Sequence, residues 1–142
     1  MNIIIRKAEI TDIPQLIQLN DEFNGQGATY ESMKKSLTND NGEIVFVAAH
    51  NEIVIGFICG QTYESICYAH GYQCEITELF VCKEYRRAGI ATKLIKRLEA
   101  EFIKLGGMEI ILKTGDDNFK AQALYEGCDY ERHDEVLYFK EI

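Results

Sequence analysis

The sequence feature that most constrains the fold is an amphipathic helix that begins after Gly89. Apolar side chains recur along it at helical spacing, at Ile90, Leu94, Leu98, Phe102 and Leu105. Gly106 and Gly107 follow these positions and predict the end of the helix. Because the β-rich run CEITELFV comes shortly before the helix, this segment predicts a strand, a turn and a helix that packs on a sheet.

The rest of the chain predicts further strands and helices. The strand IIIRKAE leads to a helix capped by Thr11 or Asp12, and then to a short helix capped by Thr29. A hairpin of EIVFVAAH and IVIGFICGQTY, joined by NE, precedes a loop over residues 64–72. After the long helix, MEIILKT predicts a strand, KAQALYEG a short helix and EVLYFKEI a last strand. This order predicts one α/β domain over residues 1–142 with a mixed sheet.

Composition and charge narrow the class of protein. The net charge of −8 disfavours general nucleic-acid binding, which depends on neutralising phosphates, and is compatible with a cationic small substrate. The apolar runs are too short to span a membrane, and the N-terminus lacks the apolar region of a signal peptide, so we expect a cytoplasmic protein. The five cysteines include no C-x-x-C pair, which argues against a disulfide framework and against a zinc site.

A local excess of positive charge surrounds the start of the long helix. Between Lys83 and Arg97 the chain carries six basic residues and one acidic residue. A helix N-terminus offers unpaired N–H groups and a partial positive charge to an anion. Gly89 would let an anion approach the backbone, and Arg86 and Arg87 can add charge-assisted hydrogen bonds. The residues alone are consistent with a pyrophosphate site and equally with a solvated basic helix start, since neither G-x-x-x-x-G-K-[ST] nor G-x-G-x-x-G occurs.

The segment that contains this turn resembles the acetyl-CoA-binding signature of the GCN5-related N-acetyltransferase (GNAT) superfamily. Residues 86–91, RRAGIA, match the signature [QR]-x-x-G-x-[GA], and they lie between a predicted strand and a predicted helix as in the family. The run from Asn118 to Tyr125 resembles a second family pattern, N-x-x-A-x-x-x-Y. The resemblance implies a single-domain α/β GNAT fold, with a mixed, mostly antiparallel sheet of six to seven strands flanked by about four helices.

The resemblance also implies how acetyl-CoA is bound. The pyrophosphate is held by the backbone of Arg87, Ala88, Gly89, Ile90 and Ala91. The pantetheine arm pairs with the strand backbone at Leu79, Phe80 and Val81, where two strands of the family fold splay apart. Arg86 supports the turn, and Asn118 matches a position that often contacts the cofactor.

Three side chains are candidates for acid–base chemistry. Tyr125 matches the tyrosine that is proposed in many family members as general acid to the departing thiolate. A carboxylate can take the proton of the acceptor amine, and Glu78 is the preferred base with Glu75 as second candidate. Their odd spacing places them on opposite faces of a regular strand unless a bulge re-aims one of them. The alternative for either carboxylate is a salt bridge on the strand, and no metal is required.

One position departs from the family pattern. Asp129 occupies the place of a glycine that precedes an aromatic residue, here Tyr130. If this position requires a left-handed backbone, Asp is among the residues that tolerate it best. We therefore expect a local variation that leaves the activity intact.

The acceptor is less constrained than the cofactor. Residues 75–127 look most like short aminoglycoside N-acetyltransferases, especially the 3-N type, which implies transfer to a primary amine of a small cationic acceptor. Acidic side chains that could hold its ammonium groups are Glu78, Asp116, Asp117, Asp21 and Glu22. A capped loop before a helix explains Asp116 and Asp117 equally well. The other acceptors to consider are a polyamine, an amino acid derivative and a protein N-terminus, and the alternative to an enzyme is an acyl-CoA-binding sensor domain.

The last predicted strand bears on assembly. Members of the family often dimerise through their C-terminal strands, and EVLYFKEI is apolar enough to permit this. We therefore expect a homodimer, with neither a nucleic acid nor a membrane as partner.

Overall fold

The computed structural model describes residues 1–38 and 41–142, with only the backbone described at residues 69 and 70. The sheet contains β1 (Ile3–Lys7), β2 (Ile44–His50), β3 (Ile53–Ser65), β4 (Tyr68–Val81) and β5 (Glu109–Leu112), in that spatial order. Neighbouring strands are antiparallel except for β4 and β5, which are parallel. A mixed, mostly antiparallel sheet is confirmed, but the described residues form five strands where six to seven are predicted.

Helices cover both faces of the sheet, as the α/β prediction requires. They are α1 (Ile13–Asn24), α2 (Tyr30–Leu37), α3 (Ile90–Lys104) and α4 (Phe119–Gly127), with short 3₁₀ turns at Ile10–Asp12 and Lys83–Tyr85. On one face, Leu94 and Phe102 of α3 are buried against Phe46. On the other face, Leu16 of α1 is buried against Phe57. No helix in the described ranges is both long enough and apolar enough to cross a membrane.

Local sequence signals account for the hairpin and for α2. Asn51 and Glu52 both have positive φ, 50° and 68°, which is the backbone of a two-residue turn that matches the twist of β2 and β3. The hydroxyl of Thr29 accepts a hydrogen bond of 3.1 Å from the backbone N–H of Ser32 and so caps α2. Both predictions are confirmed.

Of the two predicted caps, Asp12 and not Thr11 occupies the N-cap position of α1, but the Asp12 side chain forms no capping hydrogen bond with α1. Its carboxylate accepts hydrogen bonds of 2.8 and 2.9 Å from the Arg6 guanidinium and one of 2.7 Å from the backbone N–H of Glu9. Arg6 lies on β1, so the buried carboxylate ties the start of α1 to the sheet. Both carboxylate oxygens of Asp12 are thus engaged by Arg6, which belongs to β1 and not to α1.

Two other segments differ from their predictions. Residues 64–72 are not a loop, because β3 and β4 continue through them as a hairpin that turns at Ile66 and Cys67. Cross-strand pairing extends the hairpin where the side chains show no alternation. At the other end, the predicted strand EVLYFKEI is not formed, since residues 131–142 carry no helix or strand and are exposed. A strand requires an edge with which to pair, and this segment pairs with no strand of the described chain.

Candidate active site

A cleft opens where β4 and β5 part. β5 pairs with β4 only from Gln73 to Ile76 of β4, and β4 then continues to Val81 without a partner on that side. The free edge of β4 faces a cleft of about 900 Å³ whose far wall includes Lys113 and Thr114 after β5. An extended ligand with amide groups can hydrogen-bond to such an edge as an added strand does.

Most residues predicted to bind the cofactor line this cleft. They are Leu79, Phe80, Val81, Arg86, Arg87, Gly89, Ile90, Ala91, Asn118 and Tyr125. Ala88 belongs to the same turn but is not among the lining residues. Phe23, Lys113 and Lys120 also line the cleft, and sequence reasoning missed them because none of the three occupies a fixed position of a motif.

The turn before α3 provides the anion-binding end of the cleft. Arg87 and Gly89 both have left-handed backbones, with φ of 64° and 75°, and successive turns of this kind form concave arrays of N–H groups. The first turn of α3 adds N–H groups that have no intrahelical partner. A Cβ atom added at Gly89 would meet no atom within 4 Å, so the space in front of this turn is open. The turn therefore has the open space and the free N–H groups that a bound anion requires.

Arg86 connects this turn to the end of β4. Its Nε donates a hydrogen bond of 2.8 Å to the carbonyl oxygen of Val81, the last residue of β4. Its guanidinium carbon also lies 5.6 Å from the centre of the Phe80 ring. These contacts attach the turn before α3 to the last residues of β4.

Helix α4 and its N-cap residue line another wall of the cleft, where Asn118 and Tyr125 are the predicted site residues. The Asn118 side chain accepts a hydrogen bond of 3.2 Å from the backbone N–H of Ala121, so it caps α4 while lining the cleft. Tyr125 is half-buried, and its hydroxyl forms no hydrogen bond with other described residues. Burial raises the pKa of Tyr125 above its usual value, because the phenolate would lose hydration. The phenol is therefore a proton donor at neutral pH.

A β-bulge settles the orientation of the two strand carboxylates. In the pairing of β3 with β4, Cys59 lies opposite Glu78 and Gly60 opposite Ile76, which leaves Thr77 without a partner. Ile76 and Leu79 consequently both point towards α3. Glu75 and Glu78 therefore share the opposite face, as the bulge considered from the sequence would allow.

The two carboxylates have different surroundings. Glu75 accepts a hydrogen bond of 2.8 Å from the Tyr63 hydroxyl and lies 3.8 Å from the ammonium nitrogen of Lys113. Glu75 does not line the cleft, whereas Glu78 does. The structural alternative of a salt-bridged carboxylate thus describes Glu75, and Glu78 is the carboxylate exposed to a ligand.

The other acidic candidates lie outside the cleft. Asp116 and Asp117 are exposed in the loop before α4, and Asp21 and Glu22 are exposed in the last turn of α1. None of the four lines the cleft. Their neighbour Phe23 does line it, with its ring centre 5.1 Å from that of Phe80. The end of α1 is therefore close to the cleft, while its two carboxylates point elsewhere.

The left-handed backbone expected at Asp129 is confirmed. Its φ is 70°, and its N–H donates to the carbonyl oxygen of Glu126 at the end of α4. The next residue, Tyr130, donates a hydrogen bond of 2.7 Å from its hydroxyl to Glu99 of α3. Asp129 thus has a backbone conformation that glycine adopts readily, and the residue after it contacts α3.

The chain is similar to acetyltransferases of known sequence. A family model described as the acetyltransferase (GNAT) family matches residues 10–130. An acetyltransferase of Yersinia pestis (strain Pestoides F) is 30% identical over 104 residues, which are 73% of this chain and 69% of that protein. N-alpha-acetyltransferase 30 of Schizosaccharomyces pombe is 39% identical over 94 residues, which are 63% of this chain and 61% of that protein.

The fold is similar to that of a solved enzyme, AAC(6')-Iy in complex with the bisubstrate analogue CoA-S-monomethyl-acetylneamine. The TM-score is 0.86, and the match covers 100% of this chain and 99% of the other at 16% identity. At this identity the likeness concerns the fold alone. The solved enzyme is of the 6' type, whereas the sequence pattern suggests the 3-N type.

Proposed function

Because the chain belongs to the acetyltransferase (GNAT) family, we propose that it acetylates a primary amine of a small cationic acceptor by direct attack in a ternary complex. It is an N-acetyltransferase, and acetyl-CoA is its acetyl donor. The observation that carries the proposal is one cleft that includes the turn at Gly89, the free edge of β4, Glu78 and Tyr125. The groups that we assign to phosphate binding, to amide binding and to acid–base chemistry thus line the same cleft.

Each part of the cleft has a task in this proposal. The backbone from Arg87 to Ala91 holds the pyrophosphate, with Arg86 bracing the turn. The unpaired edge of β4 at residues 79–81 holds the amide-containing arm through backbone hydrogen bonds. When bound, acetyl-CoA supplies a thioester carbonyl that an amine can attack.

Two side chains transfer protons in the proposed reaction. Glu78 takes a proton from the acceptor ammonium, directly or through water, so that the amine nitrogen gains a free electron pair. Tyr125 donates the phenolic proton to the departing sulfur. Burial raises the pKa of Tyr125, which keeps the phenol protonated before the transfer, and the transfer itself depends on contact between the hydroxyl and the sulfur.

The acceptor class follows from charge and from relatives. A chain of net charge −8 attracts cations, which supports an aminoglycoside-like amine as the acceptor suggested by the sequence pattern. A protein N-terminus is the second candidate, because the Schizosaccharomyces pombe relative named as an N-alpha-acetyltransferase is 39% identical. Polyamines are the third candidate.

The protein also forms a homodimer in this proposal. The segment from residue 131 to residue 142 is exposed and forms no helix or strand, and Val136, Leu137, Tyr138 and Phe139 are 70–91% exposed. β5 lies at the edge of the sheet and offers unpaired backbone groups along its outer side. A second copy's terminal segment can pair with that edge and bury these side chains.

Substitution of Gly89 tests the cofactor cleft. Gly89→Glu places a negative charge at the anion-binding turn, so we expect acetyl-CoA affinity to fall about 100-fold, or about 2.7 kcal/mol. Gly106→Glu is the matched control, because Gly106 also has positive φ and open space but lies at the other end of α3. Isothermal titration calorimetry measures both variants. Equal affinity in the two variants would remove the pyrophosphate assignment.

Measurement of turnover distinguishes an acetyltransferase from the alternative, a sensor domain that binds acyl-CoA without reaction. An enzyme releases free thiol from acetyl-CoA faster when a suitable amine is present. A sensor binds acetyl-CoA but releases thiol at the acceptor-free rate with every amine tested.

A further inference from the structure

A second cavity lies on the other side of Glu78. It has a volume of about 230 Å³ and is lined by α1, α2 and the sheet face that they cover. Most of its wall is apolar, with Leu16, Met33 and Phe57 as large contributors. Glu78 also lines the cofactor cleft, so the two spaces meet at this carboxylate.

The strand register brings a second carboxylate to the same wall. Val45, Cys59 and Glu78 lie side by side on β2, β3 and β4. Glu43 precedes Val45 by two residues, and it lines the cavity together with these three side chains. Sequence reasoning missed Glu43, because it follows a turn and belongs to no motif.

In the described part of the chain, no cationic side chain pairs with the carboxylates of Glu43 and Glu78. Burial raises the pKa of Glu43; a hydrogen bond with Ser36 partly offsets this, and the charge of Glu78 adds to it. Half-buried charges without a partner are unfavourable, so a cation bound here would stabilise both.

The Cys59 thiol lies in the electric field of the same two carboxylates, Glu43 and Glu78. The side chain of Cys59 is 9% exposed, it lines the cavity, and its thiol donates no hydrogen bond to other described residues. Burial raises the pKa of this thiol well above its usual value, and the charges of Glu43 and Glu78 raise it further. Cys59 is therefore a neutral group between two carboxylates and not a nucleophile.

We propose that this cavity binds the acceptor, and that Glu43 holds a second ammonium group while Glu78 faces the amine that is acetylated. The apolar wall then contacts the stem between the two nitrogens. The acceptor class is a short aliphatic diamine or polyamine, since a hydroxyl-rich sugar would leave its hydroxyls against leucine, methionine and phenylalanine side chains. The volume is below the about 300–1,000 Å³ that is usual for drug-sized ligands, which also favours a compact acceptor. This inference rests on the proposed function, and among its acceptors it favours a diamine or polyamine over the aminoglycoside-like amine that the sequence pattern suggests.

The test compares two acceptors that differ in one charge. Thiol release from acetyl-CoA is measured with 1,4-diaminobutane and with 4-aminobutan-1-ol, for the unmodified protein and for Glu43→Gln. We expect Glu43→Gln to raise KM for the diamine about tenfold, with kcat changed less than twofold, and to leave KM for the amino alcohol within twofold. Glu31→Gln, which removes an exposed charge from α2, is the control and should change neither KM.

The outcomes separate this inference from the proposed function. Activity that is insensitive to Glu43→Gln, or that is higher with kanamycin than with any diamine, overturns the diamine assignment and leaves the acetyltransferase proposal standing. Thiol release that never exceeds the acceptor-free rate overturns both. Glu43→Asp keeps the charge on a shorter side chain, so intermediate KM values in a folded variant would support a charge contact and exclude a general loss of structure.

Discussion

Tyr125 shows how the position of one hydroxyl determines its chemistry. Helix α4 directs the ring into the cleft, and burial raises the pKa of the phenol. A phenol of raised pKa stays protonated at neutral and mildly alkaline pH. A thiolate, whose conjugate acid has a pKa of about 8.5, is a weaker base than the phenolate, so the transfer requires the sulfur to be in direct contact with the Tyr125 hydroxyl.

Tyr125→Phe should therefore lower turnover more than cofactor affinity. We expect kcat to fall about 100-fold, as general acid–base contributions do, with acetyl-CoA affinity within threefold. Tyr130→Phe is the matched control, because this hydroxyl donates to Glu99 on α3 and does not line the cleft. Steady-state kinetics and calorimetry measure the two quantities. An unchanged kcat in Tyr125→Phe would mean that water or the acceptor protonates the thiolate.

The choice between Glu75 and Glu78 shows the limit of sequence reasoning for single residues. The sequence identifies both as strand carboxylates near the cofactor, but their relative orientation depends on the bulge at Thr77. The bulge is set by the pairing of β4 with β3, which is a contact between distant parts of the chain. Only the structure shows that Glu75 is engaged by Tyr63 and Lys113.

At the scale of elements, the local signals predict helices well and their connections less well. The spacing of apolar residues predicts α3, and Gly106 ends it as expected. Leu105, however, is 44% exposed, because α3 ends at Lys104. The start of α1 depends on Arg6 of β1, a partner that no helix signal contains.

The Arg6–Asp12 pair should make the attachment of α1 to the sheet dependent on pH. Burial opposes ionisation of Asp12, but hydrogen bonds from Arg6 and from the Glu9 N–H outweigh it, so the pKa of Asp12 is lowered. A group whose pKa is lower in the folded state stabilises the fold above its unfolded pKa of about 4 and loses this contribution as the pH falls.

Asp12→Asn tests this contact. We expect the variant to be about 2 kcal/mol less stable at pH 7, because a charged hydrogen-bonded pair with a buried carboxylate is lost. The difference from the unmodified protein should shrink below about pH 4. Urea unfolding followed by circular dichroism measures both values. Asp21→Asn, at the exposed end of the same helix, should change neither, and a difference that is constant with pH would contradict the charge argument.

At the scale of the whole molecule, the sequence predicts which segments favour strands but not which of them find a partner. EVLYFKEI has the composition of a strand, yet residues 131–142 pair with no strand of the described chain. The hairpin at 64–72 is the reverse case, since pairing extends strands through residues without a strand pattern. Both errors arise because a strand depends on its neighbour as much as on its own side chains.

Strand addition between two copies would give the terminal segment its missing neighbour. Consecutive residues of a strand point their N–H groups to opposite sides, so only alternate residues donate to the partner's β5. Leu137→Pro and Tyr138→Pro each remove one N–H, and one of the two must lie on the paired side. We expect the proline on the paired side to raise the dissociation constant of the dimer at least tenfold, and the proline on the other side to raise it less. Sedimentation equilibrium measures the dissociation constants, and Tyr138→Thr serves as the control because it keeps the N–H. A monomeric unmodified protein, or equal dimerisation in both proline variants, would contradict strand addition at β5.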